Sequence, residues 1–222
     1  MTRVLVLRPE PGASATVSRA RARGLDARAM PLFEVEPVEW QVPDAGSFDG
    51  LLLTSANALR HGGEGLCVLR GLPVYAVGAA TAEAARDAGF DVASTGHSGV
   101  ERLLGSVEPD LRLLHLAGED RKMPAEAPQQ IRAVTVYRAR PRVADPGALR
   151  NCVAMIHSPR AGERLASLVA QDGRRLIAIS AISAAAADSV GKGWARVESS
   201  AEPNEEALLA LTERLCNKPV KS

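Results

Sequence analysis

The sequence predicts an α/β protein made of two lobes, each built on a parallel sheet. Apolar runs of strand length alternate with segments rich in Ala and Leu, which is typical of βαβ units. The pattern of residues 51–57, three leucines followed by small polar side chains, returns at 153–160. Two further segments recur at nearly the same offset: 74–82 at 176–184, and 89–92 at 193–197. Three matches in the same order predict two similarly built halves.

The first lobe is predicted from the two ends of the chain. Gly24 ends the first helix, and Asn204, Glu205 and Glu206 place acids in the first turn of the last one, where the helix dipole favours them. Strands are expected near 3–7, 26–32, 152–157, 175–179 and 194–198, and helices near 13–23, 159–171, 181–190 and 203–216. The five strands form one sheet.

The second lobe is predicted between two extended segments, 33–38 and 134–141, in which apolar side chains alternate with polar or charged ones. Strands are expected near 48–53, 73–77, 90–93 and 111–116, with helices near 79–88 and 98–106. The predicted organisation is therefore a discontinuous first lobe of residues 1–34 and 141–222, a second lobe of 39–134, and a two-stranded linker of 33–40 and 134–141. Each sheet is expected to be doubly wound and flavodoxin-like.

Composition excludes several classes of protein. Lys and Arg total 27 against 26 Asp and Glu, and the resulting net charge of +1 gives no electrostatic case for a nucleic acid or a membrane surface as partner. No apolar run approaches the roughly 18 residues of a membrane span, and the N-terminus leads directly into a strand. Cys67, Cys152 and Cys216 form no pair motif. We therefore expect a soluble cytoplasmic protein with reduced thiols.

Neither a metal site nor a nucleotide site is predicted. The four histidines share no ligand spacing: His61, His97, His115 and His157. His115 and His157 stand at strand ends, where a partly buried, hydrogen-bonded histidine is the simpler interpretation. No glycine-rich phosphate-binding motif follows the first strand.

The candidate ligand site lies beyond the carboxyl ends of the strands, where open parallel sheets bind their ligands. Helix N-termini are expected after Ser55, Gly78, Gly118, Ser158 and Ser180, and their backbone amides can receive anions. Arg8, after the first strand, is a candidate carboxylate clamp. The complete set of predicted binding residues is Arg8, Thr54, Ser55, Asn57, Gly78, Thr81, Gly118, Ser158, Ser180 and Ser183.

The same residues have simpler interpretations. Ser55, Thr81 and Ser158 are equally suited to capping helices. Gly78 and Gly118 are equally suited to tight turns. Arg8 fits a solvated turn, and residues 119–122 fit the solvated start of a helix.

Six segments together resemble the uroporphyrinogen-III synthase family along nearly the whole chain: 54–58, 77–82, 113–120, 136–139, 158–161 and 204–208. The resemblance implies two α/β lobes joined by a two-stranded linker, with the site in the cleft between them. Three features depart from the family pattern. The segment between Gly118 and Ile131 is short and contains Pro124 and Pro128. Ile182 stands where many relatives have a small or hydroxylated residue, and His157 precedes Ser158 where an aromatic or aliphatic residue is common.

The resemblance also implies a reaction. The substrate would be hydroxymethylbilane, a linear tetrapyrrole with eight carboxylates, which is closed with inversion of its last ring and loss of water. No cofactor is implied. A monomer is expected, and so is hand-over of the substrate from the preceding pathway enzyme. The alternative is a non-catalytic two-lobed module that binds a polycarboxylate or a tetrapyrrole for regulation.

Tyr137 is the candidate catalytic residue, because the resemblance places it at the family's site-facing tyrosine and the chain pattern places it on the returning linker strand. Its phenol would assist departure of the terminal hydroxyl by hydrogen bonding. The competing interpretation is an aromatic ring packed against Phe33 or Trp40.

Overall fold

The computed structural model describes residues 2–96, 99–121 and 126–217. The chain divides into two compact units, one of Met1–Glu34 with Pro141–Ser222 and one of Val35–Arg140. It therefore passes from one unit to the other twice, after Glu34 and after Arg140.

The first unit holds a five-stranded parallel sheet with helices between its strands. The strands are β1 (Arg3–Val6), β2 (Asp26–Ala29), β9 (Cys152–Ile156), β10 (Ile177–Ala181) and β11 (Arg196–Ser199). The helices are α1 (Gly12–Ala22), α5 (Pro159–Leu168), α6 (Gln171–Arg174), α7 (Ala184–Asp188) and α8 (Glu205–Cys216). The spatial order is β11-β10-β9-β1-β2. This is the flavodoxin-like order, because β2 is added on one side of β1 and the later strands are added on the other.

The core of the first unit explains this arrangement. Every residue of β9 and β10 is buried, as expected for central strands of a sheet that helices cover on both faces. Leu208, Leu211 and Leu215 of α8 pack against the same cluster as Val4 and Val153 of the sheet. The apolar stripe of α8 therefore fixes the N-terminus of this helix beside the carboxyl ends of β1 and β9.

The second unit holds a six-stranded sheet. Its strands are β3 (Phe33–Pro37), β4 (Gly50–Leu53), β5 (Val74–Val77), β6 (Val92–Gly96), β7 (Arg112–Gly118) and β8 (Gln130–Pro141), in the order β3-β8-β7-β4-β5-β6. Its α-helices are α2 (Asn57–His61), α3 (Ala79–Asp87) and α4 (Val100–Leu104). Short 3₁₀ helices cover Ala45–Ser47 and Gly63–Leu69 here, and Pro146–Leu149 in the first unit. Of the segments predicted as a linker, residues 33–37 lie in β3 and 134–141 in β8, at one edge of this sheet, whereas 38–40 follow β3.

The two sheets share one plan. Five strands of the second sheet, β8-β7-β4-β5-β6, are parallel and follow the same spatial order as β2-β1-β9-β10-β11 of the first. The repeat in the sequence therefore pairs β4 with β9, β5 with β10 and β6 with β11. The prediction of an α/β fold with doubly wound parallel sheets is confirmed, and the point where the strand order reverses lies between β1 and β9 in the first unit and between β4 and β7 in the second.

Two predicted helix starts are wrong. After Gly118 the chain stays beside the sheet, because the Glu119 N–H donates to the Tyr137 carbonyl at 2.9 Å, and the next described element is β8. Residues 122–125, which include Pro124, lie outside the described residues. After Ser180 the strand continues to Ala181, and the helix begins only at Ala184.

No helix among the described residues is long and apolar enough to cross a membrane. Cys67, Cys152 and Cys216 all carry free thiols.

Candidate active site

The first unit presents polar side chains at the point where its strand order reverses. Arg8 follows β1, and His157 and Ser158 follow β9. Ser158 caps α5, because its Oγ accepts the Ala161 N–H at 3.3 Å. The capping interpretation and the binding interpretation are compatible here, since a capped helix of ten residues still directs backbone N–H groups outwards.

Glu205, the first residue of α8, connects these side chains. Its Oε2 lies 3.2 Å from Nη1 of Arg8 and 3.5 Å from Nε2 of His157, and its Oε1 accepts the hydroxyl of Thr16 at 2.5 Å. Burial raises the pKa of the Glu205 carboxyl, but the neighbouring His157, the hydrogen bond from Thr16 and the charge of Arg8 outweigh it, so the pKa falls to about 2. The carboxylate is therefore ionised at neutral pH.

Ser180 and Ser183, predicted as a pair, have separate roles. Ser180 lies inside β10 with no exposed surface, and its Oγ accepts the hydroxyl of Thr212 at 2.9 Å. It belongs to the core, and its assignment as a ligand-binding residue is withdrawn. Ser183 caps α7 by accepting the Ala186 N–H at 3.3 Å.

The second unit has an equivalent edge between β4 and β7. Thr54 follows β4, and its Oγ1 lies 3.1 Å from Nε2 of His115 in β7. Burial, with a smaller effect of the Arg121 charge, lowers the pKa of His115 to about 4, so the imidazole is neutral at physiological pH. Ser55 accepts the Asn57 N–H at 3.2 Å, and Asn57 accepts a hydrogen bond from Arg60.

Gly78 and Thr81 form the start of α3. Gly78 has φ +87°, a conformation that strongly favours glycine, and its N–H donates to the Gly96 carbonyl at 2.7 Å. Thr81 is buried within the helix. Among the five predicted helix N-termini, those of α3 and α5 open helices of nine and ten residues, whereas α2 has only five.

Tyr137 and Gly118 are directly paired. The register between β7 and β8 shifts between Ala117 and Gly118, so that Gly118 faces Tyr137. A Cβ on Gly118 would lie 2.7 Å from Cε2 and 3.0 Å from the hydroxyl oxygen of Tyr137, which means that the ring lies against the bare glycine. Shifts of register of this kind redirect a side chain, and here the redirected side chain is the predicted catalytic one.

The surroundings of Tyr137 differ from the predicted packing. Its ring lies 6.3 Å from the ring of His61, tilted by 37°. Phe33 is stacked under the guanidinium of Arg160, and Trp40 lies against Gly65. Burial, and then the charge of Arg60, lower the pKa of His61, so this neighbour of the phenol favours its neutral form.

The structure thus groups the predicted residues into two sets. In the first unit Arg8 and Ser158 follow the neighbouring strands β1 and β9, and in the second unit Thr54 lies beside His115 and Gly118 lies against Tyr137. Sequence reasoning missed Glu205 as the centre of the first set. The signal was present, because an acid in the first turn of a helix that follows a strand end is placed at the same edge as the binding loops. Among the described residues no cluster of three or more His, Cys, Asp or Glu is placed to hold a metal ion.

Comparison with known proteins identifies the family. The family model described as Uroporphyrinogen-III synthase HemD matches residues 14–210. The chain belongs to the uroporphyrinogen-III synthase family. The matched span runs from α1 to α8 and includes both sets of site residues except Arg8. The sequence-based recognition of the family is therefore confirmed.

Solved structures agree with this assignment at the level of the fold. The uroporphyrinogen-III synthetase of Helicobacter pylori is 18% identical over 97% of this chain and 100% of its own, with a TM-score of 0.70. A mutant uroporphyrinogen III synthase of the extremely thermophilic bacterium Thermus thermophilus is 19% identical over 98% of this chain and 100% of its own, with a TM-score of 0.57. No curated protein sequence matches the chain significantly. Members of the uroporphyrinogen-III synthase family are lyases.

Proposed function

We propose that the chain is a uroporphyrinogen-III synthase that converts hydroxymethylbilane to uroporphyrinogen III and water. The observation that carries this is the family match over residues 14–210. The register shift that brings Tyr137 against Gly118 supports it independently, because it gives the phenol a defined position at the carboxyl end of β7.

The substrate supplies most of the driving force. The terminal carbon–oxygen bond breaks as the pyrrole nitrogen donates its electron pair, and the departing hydroxide takes up a proton and leaves as water. The substituted carbon of the last ring then attacks to give a spiro intermediate, which opens and recloses with that ring inverted. A proton leaves the ring at the end, so the net loss is one water. The protein has to favour the spiro route over direct closure, which is a matter of orientation and differential binding.

We assign the roles accordingly. Tyr137 donates a hydrogen bond to the departing hydroxyl. The eight carboxylates are received by several modest contacts, each worth about 1 kcal/mol and more where a charged group takes part. The proposed donors are the side chains or backbone amides of Arg8, Thr54, Ser55, Asn57, Gly118, Ser158 and Ser183. Gly78 and Thr81 shape the start of α3 instead, because the Gly78 N–H donates to Gly96, the Thr81 N–H donates to Gly78 and the Thr81 side chain is buried.

An assay with freshly prepared hydroxymethylbilane tests the function. The purified protein is expected to give mainly isomer III after oxidation of the products, whereas spontaneous closure gives isomer I. Formation of isomer I alone, at the rate seen without protein, would contradict the proposal and would leave a binding role for the fold.

Single hydroxyl groups are expected to contribute little, because backbone amides remain when they are removed. Ser55→Ala and Ser158→Ala should each reduce the rate of isomer III formation by less than about tenfold. Ser158→Ala should also lower the free energy of unfolding by about 1 kcal/mol, since it removes a helix cap. Ser167→Ala, on the exposed side of α5, is the matched control. A thousandfold loss from Ser55→Ala in a folded protein would instead indicate a serine nucleophile.

Gly118→Ala tests whether the bare glycine positions Tyr137. The added methyl group would overlap the ring, so we expect the ring to move and the rate to fall by about tenfold or more. Gly71→Ala is the control, because nothing lies within 4 Å of its added carbon. Both variants should be compared for rate, isomer ratio and thermal midpoint. An unchanged rate for Gly118→Ala would contradict this role.

The assignments of location, oligomeric state and substrate delivery rest on the resemblance to the family. We propose that the protein acts in the cytoplasm as a monomer and receives its substrate from the enzyme that makes hydroxymethylbilane. Sedimentation equilibrium tests the monomer. Channelling is tested by adding the slower Tyr137→Phe variant in excess: with direct hand-over it should slow an assay coupled to the preceding enzyme more than an assay started from free hydroxymethylbilane.

A further inference from the structure

Glu205 lies where ligands bind in sheets of this order, and the reaction outlined above gives it no role. It contacts residues from three other elements: Arg8 after β1, Thr16 and Arg19 in α1, and His157 after β9. Its side chain is only 22% exposed, and its pKa of about 2 keeps it charged. An ionised, partly buried carboxylate at a site meant for carboxylate ligands requires an explanation, because like charges repel.

The geometry of Arg8 provides one. Only Nη1 of its guanidinium contacts Glu205, at 3.2 Å, so the pairing uses a single nitrogen. On its other side the group lies flat against Gly12, where an added Cβ would be 2.6 Å from Nε and 2.8 Å from Cζ. The side chain is still 36% exposed. Glu205 and Gly12 therefore fix the guanidinium while leaving part of it accessible.

We propose that Glu205 is a positioning residue for substrate binding: it holds the Arg8 guanidinium in place so that its accessible N–H groups receive a carboxylate of the substrate. The proposal rests on the proposed function. A guanidinium has five donors in a rigid fork, so one can be used for orientation while others remain for a ligand. Arg19, whose Nη1 lies 4.0 Å from Oε1 of Glu205, adds a second positive charge and leaves this group of three residues with a net positive charge.

Fixing the guanidinium should be worth a measurable part of the affinity. A free arginine side chain loses rotamer freedom when it binds a ligand, and pre-ordering removes that cost from the binding step. Removal of the Glu205 charge should therefore weaken substrate binding, although it also removes a negative charge from the site. The sign of this effect distinguishes positioning from simple repulsion.

The first test compares Glu205→Gln with Glu206→Gln. The neighbouring Glu206 carboxylate is exposed and pairs with Arg23, outside the site, so it controls for the loss of one charge at the start of α8. We expect Glu205→Gln to raise KM for hydroxymethylbilane about threefold to tenfold with kcat and the isomer ratio nearly unchanged, and Glu206→Gln to leave KM unaltered. A KM that stays the same or falls in Glu205→Gln would overturn the proposal.

A double-mutant cycle with Arg8→Ala separates positioning from general support of the fold. In the Arg8→Ala background, Glu205→Gln should have no further effect on KM, because the group that it orients is gone. An equal rise in both backgrounds would show a structural role only and would also overturn the proposal. Thermal midpoints are measured for each variant; if Glu205→Gln does not fold, Glu205→Asp, which keeps the charge but withdraws it from Arg8, replaces it in the cycle.

Binding of uroporphyrinogen III under anaerobic conditions, measured by calorimetry, separates this inference from the proposed function. If the wild-type protein binds this product and Glu205→Gln weakens binding only when Arg8 is present, the inference stands even without turnover. If the wild-type protein forms isomer III but Glu205→Gln leaves both KM and the product affinity unchanged, the function stands and the inference fails.

Discussion

Gln129→Glu is expected to lower the free energy of unfolding of the second unit by about 3 kcal/mol at neutral pH. Gln129 is buried, with only 5% of its surface exposed, and the two hydrogens of its Nε2 are shared among three carbonyl oxygens within hydrogen-bond distance. These belong to Leu104, Val107 and Glu108, at 3.0, 3.1 and 3.0 Å. Leu104 is the last residue of α4, so the amide acts as a cap for the C-terminus of that helix.

A carboxylate cannot replace this amide. It has no hydrogen to donate, and it would place negative charge beside three carbonyl oxygens at the negative end of a helix dipole. The folded state would therefore favour the protonated acid, which means that the pKa of the introduced carboxyl is raised above its unfolded value of about 4.3. The penalty is small below that pH and grows as the pH rises towards the raised folded-state value.

Urea unfolding near pH 5 and near pH 8 measures this dependence. The neighbouring substitution Gln130→Glu is the control, since Gln130 is exposed at the start of β8. We expect Gln129→Glu to lose more stability at the higher pH and Gln130→Glu to change little at either. Equal stability of the two variants near pH 8 would contradict the capping role.

The fold was largely predictable because its signals are local. Continuous apolar runs such as those now seen as β4 and β9 identify buried parallel strands, and their recurrence identified two similar sheets. The ends of elements were less predictable. At Ser180 the sequence offers a hydroxyl near a strand end, but Thr212 on a helix distant in sequence provides its partner, so the residue belongs to the core.

The site was predictable in position but not in its contacts. Open parallel sheets bind ligands beyond the carboxyl ends of their strands, and this rule selects the residues at those ends: Arg8, Ser158, Thr54 and Gly118. It does not predict that Glu205 approaches Arg8 from 197 residues away, nor that a shift of register turns Tyr137 towards Gly118. Both depend on tertiary packing, the first on how α8 lies against the sheet and the second on the pairing of two distant strands.

The position of Tyr137 determines what its removal should cost. Its ring is held against Gly118 and packs at the margin of the core cluster around Leu116 and Val136, so the ring itself contributes to packing. Its hydroxyl lies 3.0 Å from the place of the missing Gly118 Cβ and is therefore at the carboxyl end of β7, where the substrate is proposed to bind. Phenylalanine keeps the ring and removes only the hydroxyl.

Tyr137→Phe is expected to reduce the rate of isomer III formation by roughly ten to a few hundredfold, equivalent to about 1.4 to 3.5 kcal/mol of transition-state stabilisation. A hydrogen bond suffices for this effect, because the pyrrole nitrogen already pushes the hydroxyl out and the phenol only has to stabilise the departing oxygen. Tyr75→Phe is the matched control. Tyr75 in β5 is the only other tyrosine of the chain, and its ring likewise lies against a glycine, Gly50 in β4. The thermal midpoints of both variants should stay near that of the wild type. If Tyr137→Phe retains the wild-type rate and isomer ratio, the phenol has no catalytic role and the departing hydroxyl must be assisted by another donor or by solvent.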